Sequence, residues 1–201
     1  MILFNSEKES WKLVKQGNVE AYSELYTFYY KKLYNYGRKF TDNTELIEDA
    51  IQVIFIMVWN NREKLALISS PYSYIFYSFR NYIFKEKKKQ QKVFFQFQEP
   101  EFSIDNIIIN KEATIALSNQ LQKAMTSLTS RQREAIFLRF YEALSFEEVA
   151  QIMNISVKAT YKLITRSLTR LKELLNITTI LLFALLKDPH FLNFYEGIKG
   201  S

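Results

Sequence analysis

Apolar side chains recur along this chain at three- and four-residue intervals, the period of a helix with one face turned inward. Tyr22, Leu25, Tyr26, Tyr29, Leu33, Tyr36 and Phe40 form one such stripe after Asn18, a residue suited to capping a helix start. Upstream, Ser6 and Glu9 have capping-box spacing ahead of a short helix carrying Trp11 and Val14. Turn-forming residues 42–44 lead into a third helix, expected over 45–60. Its stretch 50–59 is apolar except for Gln52, which predicts a helix at the centre of a bundle. Ser70 before Pro71 predicts a fourth helix start, with Tyr72, Ile75, Phe76, Phe79 and Ile83 on its inward stripe. Tyr74, Tyr77, Ser78, Asn81, Lys85 and Lys88 share another face. That helix is expected to dissolve in the lysine-rich run 85–92.

Residues 93–110 show no sustained period and contain Pro100, so 93–111 reads as a linker, anchored on the first domain through Phe94, Phe95 and Phe97. The helical period resumes with Leu117, Leu121 and Met125. Thr129 with Gln132 caps a helix bearing Ala135, Ile136 and Phe140, and Ser145 with Glu148 caps a short one through Val149, Ala150 and Ile152. A tight turn at 153–155 precedes Ser156, which caps a long helix with Val157, Thr160, Ile164, Leu168, Leu171 and Leu175 inward. Two helices about a short turn, the second basic outside, make a helix-turn-helix pattern. The expected fold is therefore all-α: an N-terminal helical bundle, 6–92, joined by the linker to a C-terminal helix-turn-helix domain, 112–176.

An apolar extension, 177–201, follows. Its core, 177–186, falls well short of the roughly 20 residues of a bilayer span. It either packs on the second domain or meets a partner. The opening MILFNSEKES lacks a signal-peptide layout. A cytoplasmic protein, not an integral membrane one, is the expectation.

Composition narrows the chemistry. With no cysteine there are no disulfides, thiol nucleophiles or cysteine-held metals, and the single histidine, His190, precludes multi-histidine metal sites. Four glycines, none between Gly37 and Gly197, exclude phosphate-cradling loops. No cofactor, no metal and no catalytic residue is expected. The net charge is +6 with pI near 9.3, which favours polyanionic partners. Residues 1–92 carry net +5 and 121–176 net +4, while 93–120 carry net −3. Two basic modules thus flank an acidic connector.

In a helix-turn-helix, the second helix enters the major groove. Its outward candidates here are Lys158, Ala159, Tyr161, Lys162, Thr165 and Arg166, while Arg131 and Arg133 sit at an upstream helix start where they can clamp phosphate. Lysine and arginine read guanine or hold phosphate, and a small residue such as Ala159 can meet a thymine methyl. The plainer alternative is a solvated basic helix. The segment from Leu128 to Leu175 resembles the promoter-binding C-terminal domain of bacterial RNA polymerase sigma factors. Three pieces carry the likeness: Leu128–Glu134, the run Leu144-Ser145-Phe146-Glu147-Glu148-Val149-Ala150, and Ile155-Ser156-Val157.

The first module resembles the main domain of the extracytoplasmic-function group of that family. Gly17-Asn18-Val19-Glu20-Ala21-Tyr22, Leu25-Tyr26 and Leu33-Tyr34-Asn35-Tyr36 match its opening. Glu48–Phe55 with Trp59 resembles the polymerase-binding helix, and Ser73-Tyr74-Ile75-Phe76 with Arg80-Asn81 resembles the minus-ten element. The resemblance implies that Asp49, Gln52 and Val53 dock on a coiled-coil clamp of core RNA polymerase. Val53 departs from the acidic residue usual after the glutamine. It further implies that Tyr74, Arg80 and Asn81 engage melted promoter DNA, and Tyr77, Lys85 and Lys88 add a ring and cations along the face of Tyr74 and Asn81. Aromatic faces capture unstacked bases at about 1–3 kcal/mol each while basic groups hold the backbone, although each tyrosine can equally be core. The recognition helix also departs from common members at Ala159, Thr160 and Tyr161. Expected partners are core polymerase, promoter DNA and, by resemblance, an anti-sigma protein. The competing readings are an autonomous DNA-binding regulator and a metal nuclease built on Glu45, Glu48 and Asp49.

Overall fold

The structure is a computed structural model that describes residues 7–65, 70–91 and 123–174. Among the described residues every regular element is helical. The chain divides into two compact units, Met1–Glu101 and Phe102–Ser201. The linker 93–111, the helix expected around Leu117 and Leu121, the capping residue Ser6, and the extension from 177 lie outside the described residues.

In the first unit, α1 (Glu7–Lys15) ends at Gly17, whose φ of +84° suits a residue without a Cβ. Asn18 then caps α2 (Val19–Gly37), its side chain accepting from the Ala21 amide at 2.8 Å. Asn43 caps α3 (Thr44–Asn60) in the same way, accepting from the Leu46 amide at 3.0 Å. A four-residue helix, α4 (Arg62–Leu65), follows between the third helix and the one that Ser70 opens. Ser70 opens α5 (Pro71–Gln91), its hydroxyl accepting from the Ser73 amide at 3.3 Å.

Aromatic packing ties these helices together. Tyr29 of α2 meets Trp11 of α1 at 6.3 Å, Phe55 of α3 at 6.3 Å and Tyr72 of α5 at 5.4 Å between ring centroids. Tyr36 lies against Phe76 and Phe40, and Phe40 against Phe84. Each fully buried aromatic of this kind contributes about 1.5–3 kcal/mol by leaving water. Gly37 marks the closest approach: a Cβ there would sit 2.9 Å from Phe79 and 3.0 Å from Ile47. Only a residue without a side chain lets α2 come this near to α3 and α5.

Two expectations need correction. The third helix is not enclosed on all sides, because Val53 (42% exposed) and Ile56 (59% exposed) face outward beside Asp49 and Gln52. An apolar run reveals a preference for burial, not whether this unit itself supplies the cover. The lysine run also stays helical through Gln91, since lysine, glutamate and glutamine are all good helix formers. Lys87 within it is half-buried and donates to the Phe40 carbonyl at 2.5 Å. Burial lowers its ammonium pKa from the usual value, against the opposing pull of Asp42.

The described part of the second unit opens with helical residues 123–126, followed by α6 (Ser130–Ile136) behind a full capping box of Thr129 and Gln132. The chain then widens into one π-helical turn, Phe137–Tyr141. A second capping box, Ser145 with Glu148, starts α7 (Phe146–Met153). Asn154 ends it in the left-handed conformation (φ 52°, ψ 52°) that asparagine tolerates. Ser156 then accepts from the Ala159 amide at 3.2 Å, and α8 (Val157–Leu174) begins. Val149, Ile152, Ile164, Leu138 and Ala135 are fully buried between these elements.

Candidate functional site

The outward side of α3 combines charge, amide and apolar surface. Glu48, Asp49, Gln52, Val53 and Ile56 are all exposed along it. Burial of Leu46, Ile47, Ala50, Ile51, Ile54 and Phe55 on the opposite side fixes this presentation. The Tyr30 hydroxyl of α2 donates to Glu48 at 3.4 Å, and Tyr22 donates to the Phe55 carbonyl at 2.9 Å. Partial desolvation and then the Glu48 carboxylate raise the Tyr30 phenol above its ordinary pKa, keeping it a neutral donor. The acidic trio Glu45, Glu48 and Asp49 does not gather into a metal site. Among the described residues no group of three or more carboxylates and histidines could hold an ion.

On α5, Tyr72, Phe76 and Phe79 are core, whereas Tyr74, Tyr77 and Asn81 are half-buried on the adjoining face. Tyr74 reaches back to the Met57 sulfur at 3.8 Å, so its ring is braced by α3. Lys85 and Lys88 continue outward and are exposed. Arg80 is only 8% exposed, with its guanidinium 4.1 Å over the Phe84 ring. It lies one turn after the buried Phe76, which puts it on the core side of the helix and away from the exposed face.

Lys158, Tyr161, Lys162 and Arg166 are exposed on one side of α8, with Ala159 and Thr165 half-buried at its margin. Thr160, Ile164, Ser167 and Leu171 face the core opposite. Val157, expected inward, is 37% exposed. Leu168 is only half-buried, and Leu175 lies outside the described residues. Arg131 is exposed at the start of α6. Arg133, by contrast, is 7% exposed and donates to the Leu128 carbonyl at 2.7 Å, pinning the turn before its own helix. Arginines two residues apart point about 200° apart around a helix, so only one faces solvent here.

Sequence reasoning missed Ile56 as surface and missed Phe146 as a neighbour of α8. The Phe146 ring stacks on Tyr161 at 3.9 Å between centroids. The helical register placed each residue on its own element but carried no signal for that pairing.

Comparison with known proteins bears on both units. Residues 25–93 match the family description Sigma-70 region 2, and residues 118–171 match Sigma-70, region 4. The ECF RNA polymerase sigma factor SigW of Bacillus subtilis (strain 168) is 22% identical over 169 residues, covering 75% of this chain and 86% of the relative. Among solved structures, CnrH in complex with the cytosolic domain of CnrY gives a TM-score of 0.56 at 18% identity, covering 84% of this chain and 96% of that one. The sigma factor RpoE bound to the anti-sigma factor NepR from Bartonella quintana also gives 0.56, at 19% identity, covering 77% and 96%. At these identities the structural likeness is one of fold.

Proposed function

Because the chain belongs to the sigma-70 family, in its extracytoplasmic-function group, we infer that it directs core RNA polymerase to specific promoters and assists their melting. The observation that carries this reading is the occurrence of both regions, 2 and 4, in order in one chain. An autonomous regulator needs only the second.

The chemistry follows from the surfaces. The α3 face offers Asp49 and Gln52 for hydrogen bonds and ion pairs, with Val53 and Ile56 supplying apolar area that a partner helix would cover. Docking there buries an apolar patch this unit leaves open, and Val53 exchanges a charged contact for hydrophobic burial. Tyr74, Tyr77 and Asn81, held half-exposed by the core stripe of α5, present rings and an amide to unstacked bases, with Lys85 and Lys88 beside them for phosphate. On α8, Lys158, Ala159, Tyr161, Lys162, Thr165 and Arg166 enter the upstream major groove, while Arg131 grips backbone.

No step in this scheme makes or breaks a covalent bond in this chain; the work is binding and strand separation. Among the described residues no helix is long and apolar enough to cross a membrane, and the proposed place of action is the cytoplasm, where polymerase and promoter are. The solved relatives were captured with the cytosolic domain of CnrY and with the anti-sigma factor NepR. An anti-sigma protein that masks the polymerase- or DNA-binding faces is accordingly proposed for this chain.

Equilibrium binding of fluorescently labelled protein to core polymerase tests the docking surface. Asp49→Lys should abolish binding with an unchanged melting curve. Equal affinity of the variant and the parent would remove α3 from the interface.

A further inference from the structure

We infer that Tyr161 reads a thymine methyl group in the upstream promoter element and that Phe146, on the neighbouring helix, positions it to do so; this rests on the promoter-directing reading above. Tyr161 lies in the second turn of α8, on the same side as Lys158, Lys162 and Arg166. Its ring is stacked on Phe146 with centroids 3.9 Å apart and planes inclined by 11°. Tyr161 is 43% exposed, whereas Phe146 is 8% exposed. The stack therefore covers one face of the tyrosine and leaves the rest of its surface to a ligand.

Phe146 is itself held firmly. It is the first residue of α7, directly after Ser145, whose hydroxyl accepts from the Glu148 amide at 3.1 Å. The Arg139 guanidinium lies 5.2 Å from the Phe146 ring centroid and donates to the Leu144 carbonyl at 3.0 Å, fixing the loop that delivers Phe146. A tyrosine free in solvent loses rotamer freedom when it binds; one already stacked has lost most of it on folding.

The chemistry selects the base. A phenol hydroxyl donates and accepts equally, so it discriminates weakly among base edges. The ring face is apolar, and the thymine C5-methyl is the apolar feature that base pairs display in the major groove. Phosphate contacts fall to the flanking cations, since a neutral phenol releases no counterions.

The test uses the full chain with core RNA polymerase, selecting from duplexes randomised in the upstream element. Each selected thymine is then replaced by deoxyuridine, which lacks only the methyl. At one position the replacement should weaken binding about fourfold, the worth of one methyl group. Tyr161→Ala should bind thymine and deoxyuridine duplexes equally, with its salt dependence unchanged. Tyr161→Phe should keep the preference. Phe146→Leu should diminish it at unchanged polymerase affinity, and Phe146→Tyr should restore it. Phe146→Met, close in volume, replaces Phe146→Leu if melting shows that leucine loosens the fold. Equal binding of thymine and deoxyuridine at every position by the parent overturns the inference alone. A preference intact in the Phe146 variants overturns the positioning role. A holoenzyme that selects no duplex overturns the promoter-directing reading itself.

Discussion

At the scale of single residues, neighbours decide what a side chain does. Arg131 and Arg133 read alike in sequence, as cations at one helix start, but the first is exposed and the second hydrogen-bonds the Leu128 carbonyl. Arg131→Ala, an exposed position, should change stability by less than about 1 kcal/mol and lower the salt slope of promoter binding by about one unit. Arg133→Ala should instead lower stability by about 1.5–3 kcal/mol, the range for a hydrogen bond to a charged group with its partner left buried. Denaturant melts and salt titrations of the two variants separate these roles. Gly37→Ala should cost about 1–3 kcal/mol as a shift in denaturation midpoint, because its new Cβ meets Phe79 and Ile47 at 3.0 Å or less. The tight approach at Gly37 was invisible in the sequence, since a lone glycine at the end of an apolar stripe fits a helix stop equally well.

At the scale of elements, helix starts were the most legible features. Asn18, Thr129, Ser145 and Ser156 all accept from amides three residues on, because capping is a local contest that a four-residue window contains. Ser145→Ala should destabilise the second unit by about 1 kcal/mol and, by loosening α7, weaken upstream promoter use more than polymerase binding; calorimetry and paired binding assays check this. What sequence could not supply was each helix's environment. The outward apolar face of α3 reads like core because periodicity reports a preference for burial without naming the partner. The π-helical turn was likewise hidden. Its widened register shows in the Glu142 amide donating to the Phe137 carbonyl at 3.1 Å, and no residue of 137–141 signals that spacing on its own.

At the scale of the whole molecule, the division into two basic helical units was readable from the charge distribution, with net −3 between blocks of +5 and +4. Joint family matches to both units then distinguish a polymerase-dependent factor from a free-standing regulator. The second stripe of α5 and the cationic side of α8 were legible as faces, whereas on the outward side of α3 only the polar pair Asp49 and Gln52 was. Membership of individual arginines in those faces was not. Most of what the protein does is expected to require polymerase, since each proposed DNA-binding surface alone offers only a few cations and rings.

The most direct measurement is run-off transcription with purified core polymerase on a promoter library, with and without the chain. The account predicts initiation at a defined subset of promoters only when the chain is present, and its loss with Asp49→Lys. Tight, sequence-specific binding by the chain alone, with no transcription on adding polymerase, would contradict it.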